Sequence, residues 1–117
     1  MEIRIMTLNI IRKDLKDIRY YYSRRRIFEE ATRIVGDNGV LAKVEKYNNA
    51  IKHAPPKLYD LYVCLYIKNY TQEGLSIELN YTPEYIQMQN KKLLLFLQNA
   101  LKKEEEEHEK SNTGIHR

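Results

Sequence analysis

Tryptophan is absent from this chain, cysteine occurs once, and phenylalanine only twice in 117 residues. A single cysteine excludes an internal disulfide framework and any zinc site built from several thiolates. The expected compartment is therefore reducing, a cytoplasm of bacterial type. Four glycines and three prolines are bunched at a few breaks. Long stretches are left without punctuation, and few of them alternate in polarity. No apolar run approaches the roughly 20 residues a membrane span requires. The opening Met1-Glu2-Ile3-Arg4-Ile5 lacks the basic-then-apolar order of a secretory signal. No phosphate-cradling glycine loop, nucleophile elbow, paired carboxylates or metal-ligand spacing occurs. His53, His108 and His116 have no partner spacing and read as structural or solvated, and Cys64 reads as a small core residue. No cofactor is expected, and the expectation is against an enzyme.

What is present points to helices. Hydrophobic residues make up 43% and charged residues 31%, enough apolar material for a core. Ten tyrosines supply nearly all the aromatic content, and tyrosine suits half-buried faces where the ring packs and the hydroxyl stays wet. The net charge of +4 is unevenly placed. Residues 1–53 carry 12 Lys/Arg against 7 Asp/Glu, residues 54–101 are neutral, and residues 102–117 are acidic by one.

Leu8, Ile11, Leu15, Ile18 and Tyr22 recur at alternating three- and four-residue steps, which places them in one helical stripe. Thr7 or Asn9 is the expected N-cap. The pattern extends through Tyr21, Phe28, Ala31 and Val35, so one long helix is expected to stop at Gly36 in an Asp37-Asn38-Gly39 turn. A second helix fits Val40, Leu41, Val44, Tyr47 and Ile51, ending before Pro55-Pro56. A third carries Leu58, Leu61, Tyr62, Leu65 and Tyr66, with a break near Lys68-Asn69-Tyr70. Thr71 opens a short helix holding Leu75 and Leu79. Asn80-Tyr81 is a turn, and Thr82-Pro83 is a favoured helix start, cap then first-position proline. The last helix runs through Ile86, Leu93, Leu94 and Leu97 toward Leu101, followed by a charged tail over 102–117 expected to be disordered.

Two short helices joined by a tight turn, the second opening at a capped threonine, form the outline of a helix-turn-helix. Leu75 and Leu79 are expected to face the second helix, with Ile86 as its anchor. The opposite face, Glu84, Gln87, Met88 and Lys91, then points toward a major groove. Gln bonds adenine in a bidentate way, and Lys reaches guanine or phosphate. Thr71, Gln72 and the start of the last helix are placed to hold backbone phosphates. The candidate DNA-contacting set is Thr71, Gln72, Thr82, Pro83, Glu84, Gln87, Met88, Lys91 and Lys92.

The segments Ala54-Pro55-Pro56-Lys57-Leu58, Leu65-Tyr66, Tyr70-Thr71-Gln72-Glu73 and Leu79-Asn80-Tyr81-Thr82-Pro83-Glu84-Tyr85-Ile86 resemble sigma-70 region 4. Phage-encoded late transcription regulators of the ArpU kind are similar, with a helical part ahead of the same module. The resemblance covers about 45 residues. It implies sequence-specific binding of double-stranded DNA and, for a sigma-like factor, contact with RNA polymerase. This sequence departs from the pattern at Gly74, at Ser76 for a small alanine, at Asn80 for the turn glycine, and at Asn90 for a buried apolar residue. The reading helix also lacks the arginines common in that family.

Three features carry two readings each. Arg24-Arg25-Arg26 is either a solvated helix face or a phosphate-contacting patch that supplies charge to the neutral module. The Leu8, Ile11, Leu15, Ile18 and Tyr22 stripe is either intramolecular core or a dimer seam. The helix from Thr82 is either a DNA reader or an ordinary capped surface helix. The expected architecture is all-α: a long N-terminal helix and a second helix over 1–53, a region for dimerisation, then a three-helix module over 54–101. The expected function is a DNA-binding transcription regulator acting as a homodimer, with no membrane contact. The alternative is a protein-interaction module that keeps the helix-turn-helix fold and binds RNA polymerase or another protein.

Overall fold

The computed structural model describes residues 6–35 and 39–114, with side chains described for 6–31 and 39–104. All regular structure among these residues is helical. Helix α1 (Leu8–Ser23) starts at Thr7, whose hydroxyl accepts the Ile10 N–H at 3.2 Å. This satisfies one of the amides that every helix start leaves open. Ile11, Leu15 and Ile18 are at most 1% exposed.

The expected single long helix is broken at Arg24, which leaves helical geometry at φ −131°, ψ 35°. Its N–H is shared between the Tyr20 and Tyr21 carbonyls, and the Ser23 hydroxyl donates to Tyr20 O at 2.7 Å. A serine that bonds a nearby carbonyl competes with the helical ladder. The break also turns helix α2 (Arg25–Val35) so that the Phe28 ring meets the rings of Tyr20 and Tyr21 at 5.8 and 5.7 Å. The stop expected at Gly36 and the first two turn residues, Asp37 and Asn38, lie outside the described residues.

Helix α3 (Val40–Ile51) follows Gly39, which sits in the left-handed region at φ 64°, where glycine has no steric cost. It buries Val44, Tyr47, Ala50 and Ile51. Pro56 opens helix α4 (Pro56–Tyr62), which continues into a π-helical turn over Val63–Ile67. Lys68 N–H reaches back to Val63 O at 2.8 Å, and Asn69 ends the run in the left-handed region at φ 65°. Helix α5 (Gln72–Leu79) ends at Asn80, also left-handed at φ 60°. Tyr81 N–H bonds Ser76 O at 3.0 Å and Asn80 N–H bonds Ile77 O at 3.3 Å. This is the Schellman pattern, with asparagine in the place glycine usually takes.

Helix α6 (Pro83–Gly114) has 32 residues, about 48 Å at 1.5 Å per residue. It continues to Gly114 through the segment expected to be a disordered tail; residues 115–117 lie outside the described set. Ile86, Leu93, Leu94, Leu97 and Leu101 are buried along one side of it.

One core joins the segments divided by sequence at 53/54. Helix α1 packs on the π turn of α4, on α6 and on α3, while α6 also meets α3, α4 and α5. The stripe weighed as a dimer seam is consumed here. Ile11, Leu15 and Ile18 are buried within the chain, and Leu8 and Tyr22 pack partly buried against the same core. Ile11, Leu15 and Ile18, already removed from water, have no apolar surface left to drive a second association.

A polar network crosses the same region. The Tyr47 hydroxyl donates to Asp14 at 2.7 Å, and Lys43 pairs with Asp17 at 2.8 Å and Asp14 at 3.2 Å. Asn48 donates to the Tyr22 hydroxyl at 2.9 Å and accepts from the Tyr62 hydroxyl at 2.8 Å. The hydrogen bond to Asp17 raises the Lys43 ammonium above its usual value. Burial raises the Tyr62 and Tyr66 phenols. All three groups thus have folded values above their unfolded ones. The stability linked to them is full below about pH 10, the ordinary tyrosine and lysine range, and is lost as pH rises beyond it. Urea unfolding measured from pH 8 to 11.5 is expected to show this decline, and Tyr62→Phe should flatten it. A profile that stays level through pH 11 contradicts the assignment.

Candidate nucleic-acid interface

The candidate site is built where α5 turns into α6. Thr71 caps α5 by accepting the Gly74 N–H at 2.9 Å. A Cβ at position 74 would lie 3.0 Å from that hydroxyl oxygen, so glycine keeps the cap uncrowded. Thr82 caps α6 by accepting the Tyr85 N–H at 3.2 Å, with Pro83 at the first helical position. Each hydroxyl accepts one bond and retains its proton for a second partner. Both threonines are exposed, and Gln72 beside Thr71 is half-buried.

Glu84, Gln87, Met88 and Lys91 recur at i, i+3, i+4 and i+7, so they share one face of α6. All four are exposed, as are Pro83 and Lys92. The buried Ile86, Leu93 and Leu97 lie on another side of the helix, while Leu94, seven residues after Gln87, is buried in line with this face farther along. The arrangement presents one acceptor carboxylate, one amide with both donor and acceptor, and two ammonium groups from a single rigid helix.

Several neighbours differ from the sequence expectation. Leu75 is buried at 3% exposure, but Leu79 is 49% exposed and Ser76 takes the inner position beside Leu75. Leu79, four residues after Leu75 and on the same face, lies in the last turn of α5 next to the Asn80 turn. Leu79, Tyr81 and Tyr85 instead line an open cleft of about 240 Å³ with Leu61 and Cys64 of α4. Ile77, beside it in sequence, is 76% exposed. Asn90 is half-buried and accepts a hydrogen bond from the Tyr66 hydroxyl at 2.7 Å. A polar pair thus ties α6 to the π turn that follows α4.

The arginine triplet lies at the α1–α2 junction. Arg24 closes α1 and holds its guanidinium 5.2 Å from the Tyr20 ring centroid. Arg25 pairs with Glu29 at 2.9 Å, and Arg26 is exposed. None of the hydrogen bonds or ion pairs described for the triplet reaches α5 or α6. A basic residue that sequence reading passed over does reach this region. Arg19 of α1 donates through Nε to Asn69 Oδ1 and through Nη2 to Asn69 O, both at 3.2 Å. That bidentate grip holds the left-handed residue two positions before the Thr71 cap. The 50-residue separation is why no local pattern announced it.

Among the described residues, no group of three His, Cys, Asp or Glu side chains is placed to hold a metal ion. No helix among them is long and apolar enough to cross a membrane. No family model matches this chain, and no curated protein or solved structure matches it either.

Proposed function

We propose that this chain is a sequence-specific, non-enzymatic DNA-binding transcription regulator whose reading element is the first part of α6. The observation that carries the reading is the exposed Glu84, Gln87, Met88 and Lys91 face, held on a helix that starts after a three-residue connection, Asn80 to Thr82, from α5. Side chains on a rigid helix are presented to base edges without the ordering cost a loop would carry. Capped helix starts at Thr71 and Thr82 offer backbone N–H groups and hydroxyls to phosphates. The resemblance to sigma-70 region 4 and to ArpU-type phage regulators supports the same reading, with RNA polymerase as a further partner and a cytoplasmic setting. Dimeric reading of paired half-sites requires a surface other than the buried α1 stripe.

A second reading, a protein-interaction module on the same scaffold, is favoured by one specific feature. Leu79 and Tyr81, exposed at 49% and 47%, line an apolar cleft. Clustered apolar exposure of this kind marks interaction surfaces.

Fluorescence anisotropy separates the two. The protein is titrated onto a random duplex and onto duplex from its own upstream region across a salt series. Tighter binding to the upstream duplex, weakening steeply with salt, is expected of the regulator. Absence of binding to either duplex at the lowest salt overturns it and leaves the protein-binding reading.

A further inference from the structure

The module over 54–101 is charge-neutral, yet duplex DNA carries about one negative charge per 1.7 Å of axis. The missing cations are found on α1. Arg12, Lys16 and Arg19 recur at i, i+4 and i+7, one edge of that helix. Arg12 and Lys16 are exposed, and Arg19 is half-buried against Asn69.

Contacts at its two ends fix where this edge lies. At the start of α1, Gln98 Nε2 of α6 donates to Met6 O at 2.9 Å. At its far end, Arg19 grips Asn69 just ahead of α5. Tyr66, three residues before Asn69, bonds Asn90 of α6. Helix α1 therefore runs antiparallel to α6, from the level of Gln98 past the level of Asn90. Lys91 and Gln98 are seven residues apart and share an edge of α6, two turns or about 10.5 Å along the axis. The same distance travelled from Met6 arrives at Lys13, beside Arg12 and one turn short of Lys16.

Charge is sorted around α1. Its acids, Asp14 and Asp17, sit toward α3, where Lys43 holds both. The ion pairs formed among the described residues leave Arg12 and Lys16 without a carboxylate partner.

We propose that Arg12 and Lys16 form a phosphate-binding ridge that lies along the backbone of the duplex whose groove is read by α6. Arg19 is the positioning residue behind the ridge, tying α1 to the loop that feeds α5. The proposal rests on the DNA-reading assignment and adds a sequence-independent contact made by the N-terminal segment.

The test is the double substitution R12Q/K16Q, both sites exposed, with the single K16Q as a milder variant. K52Q/K103Q removes the same charge near the far end of α3 and the adjoining part of α6. Anisotropy is measured on random and upstream duplexes across a salt series, and folding is checked by thermal circular dichroism. The slope of log affinity against log salt is expected to shrink by about two for the double variant and about one for K16Q. Both duplexes should be affected alike, and K52Q/K103Q should keep the full slope. A full slope in folded R12Q/K16Q overturns the ridge while leaving the regulator standing, as does an equal loss in K52Q/K103Q. Failure of the unsubstituted protein to bind any duplex overturns both.

Discussion

Ile18→Ala in α1 and Leu97→Ala in α6 are each expected to cost about 2–5 kcal/mol and to lower the midpoint of one shared unfolding transition. Both side chains are fully buried and belong to the same core. Truncation removes their transfer free energy and leaves cavities that a close-packed interior closes only in part. For a chain this size the midpoint should fall by roughly 10 °C. The informative feature is the sharing. Residues 1–53 and 54–101 read as separate regions in the sequence, whereas α1 packs on the π turn that follows α4 and on α6 in the structure. Thermal denaturation followed by circular dichroism and by tyrosine fluorescence distinguishes the cases. Two separable transitions, with Ile18→Ala moving only one, would show that the halves fold independently and would undo the single-core description.

Gln87→Ala combined with Lys91→Ala is expected to abolish most discrimination between the upstream duplex and random DNA. A good bidentate base contact contributes about 1–3 kcal/mol of discrimination. Both residues are exposed, so stability should change by less than about 0.5 kcal/mol. Competition anisotropy reads the specificity ratio directly. A ratio that survives the double substitution moves base reading away from this face. The ridge variants are expected to behave the other way, losing affinity for all duplexes while keeping the ratio. The two sets of variants therefore separate base reading from backbone holding within one protein.

How much of this was legible in the sequence depended on how local the cause was. The Thr71 and Thr82 caps, Pro83 at the helix start and the left-handed Asn80 were readable because each acts through hydrogen bonds spanning a few residues. The apolar stripes of α1, α3 and α6 were readable because burial imposes the helical period on composition. The break at Arg24 was missed. A stripe through Phe28 and Val35 is compatible with one helix, and the Ser23 hydroxyl together with the Tyr20, Tyr21 and Phe28 ring contacts favours two.

The all-helical class and the exposed polar face of α6 follow from sequence alone, since short-range periodicity and capping decide which side of a helix meets water. Only the tertiary structure decided what the N-terminal stripe is for. A two-heptad stripe reads equally as core or as dimer seam until its neighbours are known, and α1, which carries Ile11, Leu15 and Ile18, packs on elements from both halves of the chain. The same holds for Arg19 on Asn69, Tyr66 on Asn90 and Gln98 on Met6. These pairs are separated by 50, 24 and 92 residues, so their energies depend on chain-wide packing that no local pattern encodes.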